Sequence, residues 1–298
     1  MVTPILDVRN LEKRLDNGSV LKNVNAQLRP GDFLGIVGPP GVGKTVLLRV
    51  LATLVAADAG EIWIDGHPSD DAPRVRGLLG YYGGTPELFP EMTIRDYLTF
   101  FARSSGVDPA FVSVRVQEVV STTRLTAVAD DRMGALPRTA LRRAGLARAL
   151  VHGPRLVLLD DPLRKFESSE RDVWVEILEK VRNQGCCVAM AAETVRDVRH
   201  LLTHACVLAA GYVLGCGPIQ TLDSRLSQLR SIHLQVMGAL RAVQLLSERP
   251  GVFQASNTGE IVKVLFMGDS SEVLGLVQFL ATKGMSVISF REEPAYLM

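Results

Sequence analysis

The sequence predicts a three-layer α/β domain followed by a small βαββαβ unit of ferredoxin-like order. Three observations carry this reading. Over residues 1–222, apolar runs short enough to be buried strands alternate with stretches of helical spacing. A glycine-rich loop, Gly38-Pro39-Pro40-Gly41-Val42-Gly43-Lys44-Thr45, joins one such strand to a helix. From residue 223 to 298 the order becomes strand, helix, strand, strand, helix, strand.

Taken in order, residues 5–11 and 20–28 read as strands separated by Asp16-Asn17-Gly18-Ser19, a hairpin signal. The apolar run 33–37 precedes the loop, and helical spacing follows it over 45–54. Residues 60–66 read as a strand ending in a turn, and 96–105, 112–123 and 138–152 as helices. The runs 156–159 and 187–191 are short enough to be buried parallel strands. A helix over 194–202 and a hairpin of 205–208 with 212–214 close the first domain. A polar helical stretch, 223–230, is the linker. Strands 232–236, 252–255, 261–266 and 286–290, with helices 239–247 and 271–283, make up the second unit.

Composition narrows the function classes. Lys and Arg number 33 against 32 Asp and Glu, so no global field points to nucleic acid or to a charged lipid surface. Asp7 and Arg9 interrupt the amino-terminal segment, which has no apolar core of a signal peptide. The apolar stretch 205–219 is too short to span a bilayer and contains three glycines. Four cysteines, two of them adjacent at Cys186-Cys187, lack metal or disulfide spacing and read as buried thiols in a reducing compartment.

The loop matches G-x-x-x-x-G-K-[ST] in full, between a strand and a helix. In that context backbone N–H groups wrap phosphates at a helix N-terminus, where the partial positive charge of the peptide dipoles favours an anion. The sequence thus predicts that Gly38, Pro39, Pro40, Gly41, Val42, Gly43, Lys44, Thr45 and Val46 hold a nucleoside triphosphate. Lys44 reaches the β- and γ-phosphates, and the Thr45 hydroxyl is a Mg²⁺ ligand.

Beyond the loop, residues 1–220 resemble the ATP-binding subunit of an ABC transporter. The resemblance rests on Arg29-Pro30-Gly31-Asp32, Gly60-Glu61-Ile62, Gly80-Tyr81, Leu88-Phe89-Pro90 with Thr93, Leu146-Ala147-Arg148-Ala149-Leu150, the segment 154–162 and the closing segment 208–218. The second unit resembles the accessory domain on exporter ATPases of drug and polysaccharide type. The resemblance implies a P-loop NTPase fold, Mg²⁺ and ATP as cofactors, and two such subunits enclosing two nucleotides head to tail. It also implies a separate membrane permease as partner and a cytoplasmic position on the membrane face.

Each further motif of that family departs from its pattern here. Asp160 falls at the Mg²⁺-side carboxylate, but Asp161 stands where the resemblance implies a catalytic Glu. Glu193 occupies the position of a histidine that donates to the γ-phosphate, a donation that an ionised carboxylate cannot make. Leu136-Pro137-Arg138-Thr139-Ala140 replaces a Leu-Ser-Gly-Gly-Gln signature, losing both glycines. Gly84 takes the place of a glutamine, Arg164-Lys165-Phe166-Glu167 that of a Ser-Gly-Leu-Asp turn, and Leu15 that of an adenine-stacking aromatic. Among these, Asp161 and Glu193 are the candidate catalytic positions, and Leu15 is a candidate adenine contact.

Weaker candidates read as structural. His200 and His204 stand at i, i+4 in the predicted helix 194–202 and its end, without a third ligand. Arg142, Arg143 and Arg148 read as one solvated helix face. An intact loop beside so many substitutions predicts that nucleotide is bound but turned over weakly or not at all, with a second, competent ATPase as heteromeric partner. A fully active transport ATPase and a non-transport ATP-binding scaffold or sensor are the alternatives.

Overall fold

The computed structural model describes residues 3–15, 20–84, 89–164, 166–193, 196–209, 212–226 and 229–294. The chain begins with β1 (Leu6–Arg14), β2 (Val20–Leu28), β3 (Phe33–Val37), α1 (Lys44–Leu51), β4 (Ala59–Ile64) and β5 (His67–Pro68). It continues through α2 (Ala72–Leu78), β6 (Leu79–Tyr82), α3 (Ile94–Ser104), α4 (Val112–Thr122) and α5 (Arg138–Leu150). Then come β7 (Leu156–Asp160), α6 (Ser168–Asn183), β8 (Cys187–Ala192), β9 (His204–Ala209), β10 (Tyr212–Pro218) and α7 (Ile219–Leu226). The last elements are β11 (Leu229–Val236), α8 (Ala239–Ser247), β12 (Val252–Thr258), β13 (Ile261–Met267), α9 (Ser270–Thr282) and β14 (Val287–Pro294).

The central sheet has the order β10-β9-β3-β8-β7-β6 and is parallel except at β10. Its inner strands β3 and β8 are apolar and buried throughout because both faces are covered. Alternation within β3 shows how: Phe33 and Val37 pack with helices α3 to α6, whereas Leu34 and Ile36 pack with α1 and the antiparallel sheet β2-β1-β4-β5. Three layers result, as the sequence predicts.

The carboxyl-terminal sheet runs β12-β13-β11-β14, with every neighbouring pair antiparallel. With α8 and α9 between its strands in chain order, this is the ferredoxin-like topology expected from the sequence. Ile232, Leu234, Val262, Val264 and Phe266 face Ala242, Leu246, Leu276 and Leu280 of the two helices. On the opposite side of β13, Leu265 joins Ala205, Val207, Ala209 and Leu222 in a small cluster that ties this sheet to β9 and α7.

Several boundaries differ from the sequence reading for local reasons. The helix expected over 45–54 ends at Leu51, because Thr53 turns into the left-handed region with φ of 56°. The helix expected over 194–202 is a 3₁₀ segment, Arg196–Leu201, with residues 194 and 195 outside the described residues. The linker helix starts at Ile219 rather than 223, so the domain boundary expected at 222/223 falls within α7. Helices α2 and α6 are additional to those read from spacing. The turn 16–19 and residues 85–88 lie outside the described residues.

Candidate nucleotide-binding site

Parallel pairing brings three strand ends to one edge. Val37 of β3 lies opposite Ala192 of β8, and Ala191 of β8 lies opposite Asp160 of β7. The glycine-rich loop, Asp160-Asp161 and Glu193 therefore meet at the carboxyl ends of adjacent strands, the crevice where open α/β sheets bind ligands.

The loop's shape follows from its residues. A Cβ on Gly38 would stand 2.2 Å from the Leu208 carbonyl oxygen, so only glycine lets the loop leave β3 against β9. Val42 is buried and Val46 packs against the same core, anchoring the loop from below, while Pro40 and Gly41 are exposed at its tip and Pro39 is half-buried. Gly43 caps α1 in the left-handed conformation, φ 100°, and offers no side chain to the first-turn N–H groups. Those donors remain available to an anion. Lys44 Nζ donates to the Gly38 and Pro39 carbonyls at 2.6 and 2.8 Å, arching back over the loop.

Thr45 Oγ1 donates to Asp160 Oδ1 at 2.9 Å. A hydroxyl and a carboxylate held together form a hard-oxygen donor pair that suits Mg²⁺. Among the described residues there is no cluster of three His, Cys, Asp or Glu side chains able to hold a metal alone. The residues thus fit Mg·ATP: loop N–H groups and Lys44 for the phosphates, Thr45 and Asp160 for the ion.

Charges around this pair oppose one another. Burial pushes the Lys44 ammonium below its ordinary value, against the pull of Asp161, Glu193 and Asp160. Burial raises the Asp161 carboxyl, against Arg164 and Lys44, with Asp160 and Glu193 adding to the rise. Asp161 sits at φ 48° and donates its N–H to the Ala191 carbonyl at 2.9 Å. Its Oδ2 lies 3.8 Å from Arg164 Nε. Glu193 is exposed at the end of β8.

The structure places the other sequence candidates as follows. Leu15 is only 7% exposed. Its Cδ1 would stand 2.7 Å from a Cβ on Gly43, so it covers the loop's last glycine. Pro137 and Arg138 are exposed at the start of α5, and Gly84 lies just beyond β6 with φ 111°. His200 and His204 do not share a helix: His204 opens β9, with Nδ1 hydrogen-bonded to Thr203 Oγ1 at 2.8 Å.

The arginines of α5 are not a solvated face. Arg142 sends both terminal nitrogens to the Arg164 carbonyl, at 3.0 and 3.1 Å, and lies 4.2 Å over the Phe166 ring. Arg143 donates to the Arg124 carbonyl at 2.9 Å, and Arg148 stands over Phe101. Helical spacing alone put these three on one side of α5; the turn that Arg142 grips comes from a segment more than twenty residues away, which no local pattern reveals.

Residues 21–164 match the family model described as ABC transporter. The chain is 30% identical over 222 residues to the Nod factor export ATP-binding protein I of Burkholderia thailandensis, covering 74% of this chain and 73% of that protein. It is 27% identical to an uncharacterized ABC transporter ATP-binding protein, YdbJ, of Bacillus subtilis, over 75% of this chain and 72% of that one. Among solved structures, cbiO1 of Clostridium perfringens, part of the cbiONQ transporter complex, superimposes with a TM-score of 0.66 at 21% identity, covering 74% of this chain and 91% of cbiO1. The dimeric cassette MJ0796 with ADP and Pi gives 0.62 at 22% identity, over 72% and 98% of the two chains. The chain belongs to the ATP-binding proteins of ABC transporters.

Proposed function

We propose that this chain is the nucleotide-holding, weakly hydrolytic or non-hydrolytic ATPase subunit of an ABC exporter. It couples to a separate membrane permease at the cytoplasmic face and pairs with a second, competent ATPase subunit. Residues 1–222 form the nucleotide-binding unit and 223–298 an accessory unit. The observation that carries the reading is the contrast at one sheet edge: Thr45 and Asp160 are joined in a metal-ready pair, while Glu193, exposed at the end of β8, adds a negative charge acting on Lys44 and Asp161. Two like unit charges about 4 Å apart repel by ~4 kcal/mol at an effective dielectric near 20. Glu193 at the histidine position thus works against closure on a γ-phosphate. Pro137 and Arg138, exposed at the start of α5, remove the close glycine backbone at the signature position.

Export is favoured by the named relatives that export Nod factor and by the ferredoxin-like unit. No helix among the described residues is long and apolar enough to cross a membrane, in keeping with a permease on another chain. A fully hydrolytic reading has one observation in its favour: burial raises the Asp161 carboxyl, the direction that makes a carboxylate a better base. Mg·ATP turnover by the purified chain, alone and with the permease and second ATPase of its own transporter, separates the two. Nucleotide-dependent thermal stabilisation that is lost in Lys44→Ala, with turnover at background, supports the holding role. Lys44-dependent turnover by the chain alone overturns it.

A further inference from the structure

We propose that Arg164 is a nucleotide-binding residue of this chain, its guanidinium reaching the terminal phosphate of ATP and supplying the positive charge that Glu193 does not. The proposal rests on the Mg·ATP reading above and assigns that site a ligand outside the loop and the Asp160-Asp161 pair.

The geometry that points to Arg164 begins with its backbone. Its carbonyl is gripped by both terminal nitrogens of Arg142, at 3.0 and 3.1 Å. Arg142 is itself packed 4.2 Å above Phe166, which lies against the fully buried Trp174. The Arg164 N–H closes the same turn onto the Asp161 carbonyl at 3.3 Å. A backbone pinned on both sides fixes where the side chain starts. The side chain itself is 67% exposed, so its guanidinium is free to re-aim.

The direction of that side chain is toward the site. Arg164 Nε lies 3.8 Å from Asp161 Oδ2, and Asp161 follows the residue whose carboxylate accepts from Thr45. The field of Arg164 reaches as far as Lys44, whose ammonium it disfavours. Among the described residues, the acids that act on Lys44 and Asp161 are Asp160, Asp161 and Glu193, and the cations are Lys44 and Arg164, while Arg49 is engaged by Tyr81. Lys44 gives two of its donors to the loop's own carbonyls. A triphosphate adds several negative charges to a site already holding three carboxylates. Guanidinium is the side chain whose fixed fork best matches phosphate oxygens, and it stays charged at every physiological pH. Release from the long, exposed contact with Asp161 costs little, because such surface pairs are weak.

The measurement is the affinity of the full chain for Mg·ATP and Mg·ADP by isothermal titration, in wild type, Arg164→Ala and Arg164→Lys. Arg164→Ala is expected to weaken Mg·ATP about 10-fold, as for loss of one charge-assisted hydrogen-bond pair, and Mg·ADP less than about 2-fold. Arg164→Lys is expected to recover part of the difference. Equal affinities for Mg·ATP in wild type and Arg164→Ala overturn the proposal while leaving the nucleotide reading intact. Equal losses for both nucleotides overturn it as well, since they place the guanidinium away from the terminal phosphate. Wild-type chain that binds neither nucleotide overturns both readings together. The exposed side chain makes a folding defect in these variants a minor concern, and unchanged melting without nucleotide verifies it.

Discussion

Thr45 Oγ1 and Asp160 Oδ1, 2.9 Å apart, tie the last residue of the loop to the carboxyl end of β7. The hydrogen bond joins two residues 115 positions apart in the chain, and parallel pairing through β8 is what brings them together. Asp160→Asn keeps an acceptor oxygen but removes the charge that a divalent ion needs. Nucleotide affinity of the wild type is expected to fall by about 10-fold or more when Mg²⁺ is chelated, the loss of a multi-ligand ion contact. In Asp160→Asn, affinities with Mg²⁺ and with chelator should converge, while melting without nucleotide changes little. Titrations with and without Mg²⁺ decide this. A full Mg²⁺ dependence in Asp160→Asn would remove Asp160 from the metal side.

Asp161 and Glu193 carry the next prediction. Both act on Lys44 through the same crevice, so changes at the two positions should not add independently. Asp161→Glu alone is expected to restore little turnover and to cost about 1 kcal/mol of stability, because φ of 48° suits Asp better than Glu. Asp161→Glu with Glu193→His should exceed the product of the single effects in steady-state ATPase assays. Recovery from Asp161→Glu alone would show that Glu193 is no obstacle.

How far the sequence reaches is visible at these same residues. The loop, its flanking strand and the βαββαβ order are written in local patterns, because glycine spacing and period-2 or period-3.6 apolar repeats depend on near neighbours. Helix α6 falls outside the helices that the sequence reading predicts, although Trp174, Ile177, Leu178 and Val181 make its buried stripe. Its cap position is Glu167, which makes no side-chain cap, and only Glu170 in the first turn marks its start. Helix α2 buries Val75 alone and is too short to show a period. The contacts Thr45–Asp160 and Arg142 on the Arg164 carbonyl are set by packing. Helical spacing implies a solvated Arg142, but its partner lies across the fold. Leu15, a candidate for adenine, is buried over Gly43, which spacing alone does not convey.

His152 predicts an acid-side response. Burial holds its imidazole below the ordinary value of about 6.5, although Nε2 pairs with the Leu79 carbonyl at 2.9 Å. A lowered folded value means that the unfolded chain binds the proton first. Its contribution to stability is therefore complete above pH ~6.5 and is lost as pH falls from there through the folded value. His152→Gln keeps a donor for Leu79 and cannot protonate. Its unfolding midpoint in urea should fall less between pH 7 and pH 5 than that of the wild type. Parallel pH profiles would show that His152 does not couple to folding.

The last prediction concerns Leu265, 6% exposed on the face of β13 turned away from α8 and α9. It packs with Ala205, Val207 and Ala209, which occupy one face of β9, and with Leu222 of α7. The other face of β9 carries Cys206 and Leu208 in the core beneath the loop, and the Leu208 carbonyl is the group pressed against Gly38. The cluster thus backs the strand that backs the loop. Leu265→Ala leaves a cavity where the ferredoxin-like sheet meets the parallel sheet and is expected to cost about 2–5 kcal/mol, the range for buried leucine truncations. Lys263→Ala, an exposed change on the same strand, should stay within about 0.5 kcal/mol. Because β9 borders the loop, the stabilisation conferred by Mg·ATP should also be smaller in Leu265→Ala than in Lys263→Ala. Urea unfolding with and without nucleotide reads both effects. Equal costs for the two substitutions would mean that the cluster does not bind the sheets together. A full cost with undiminished nucleotide stabilisation would confine its role to the carboxyl-terminal unit.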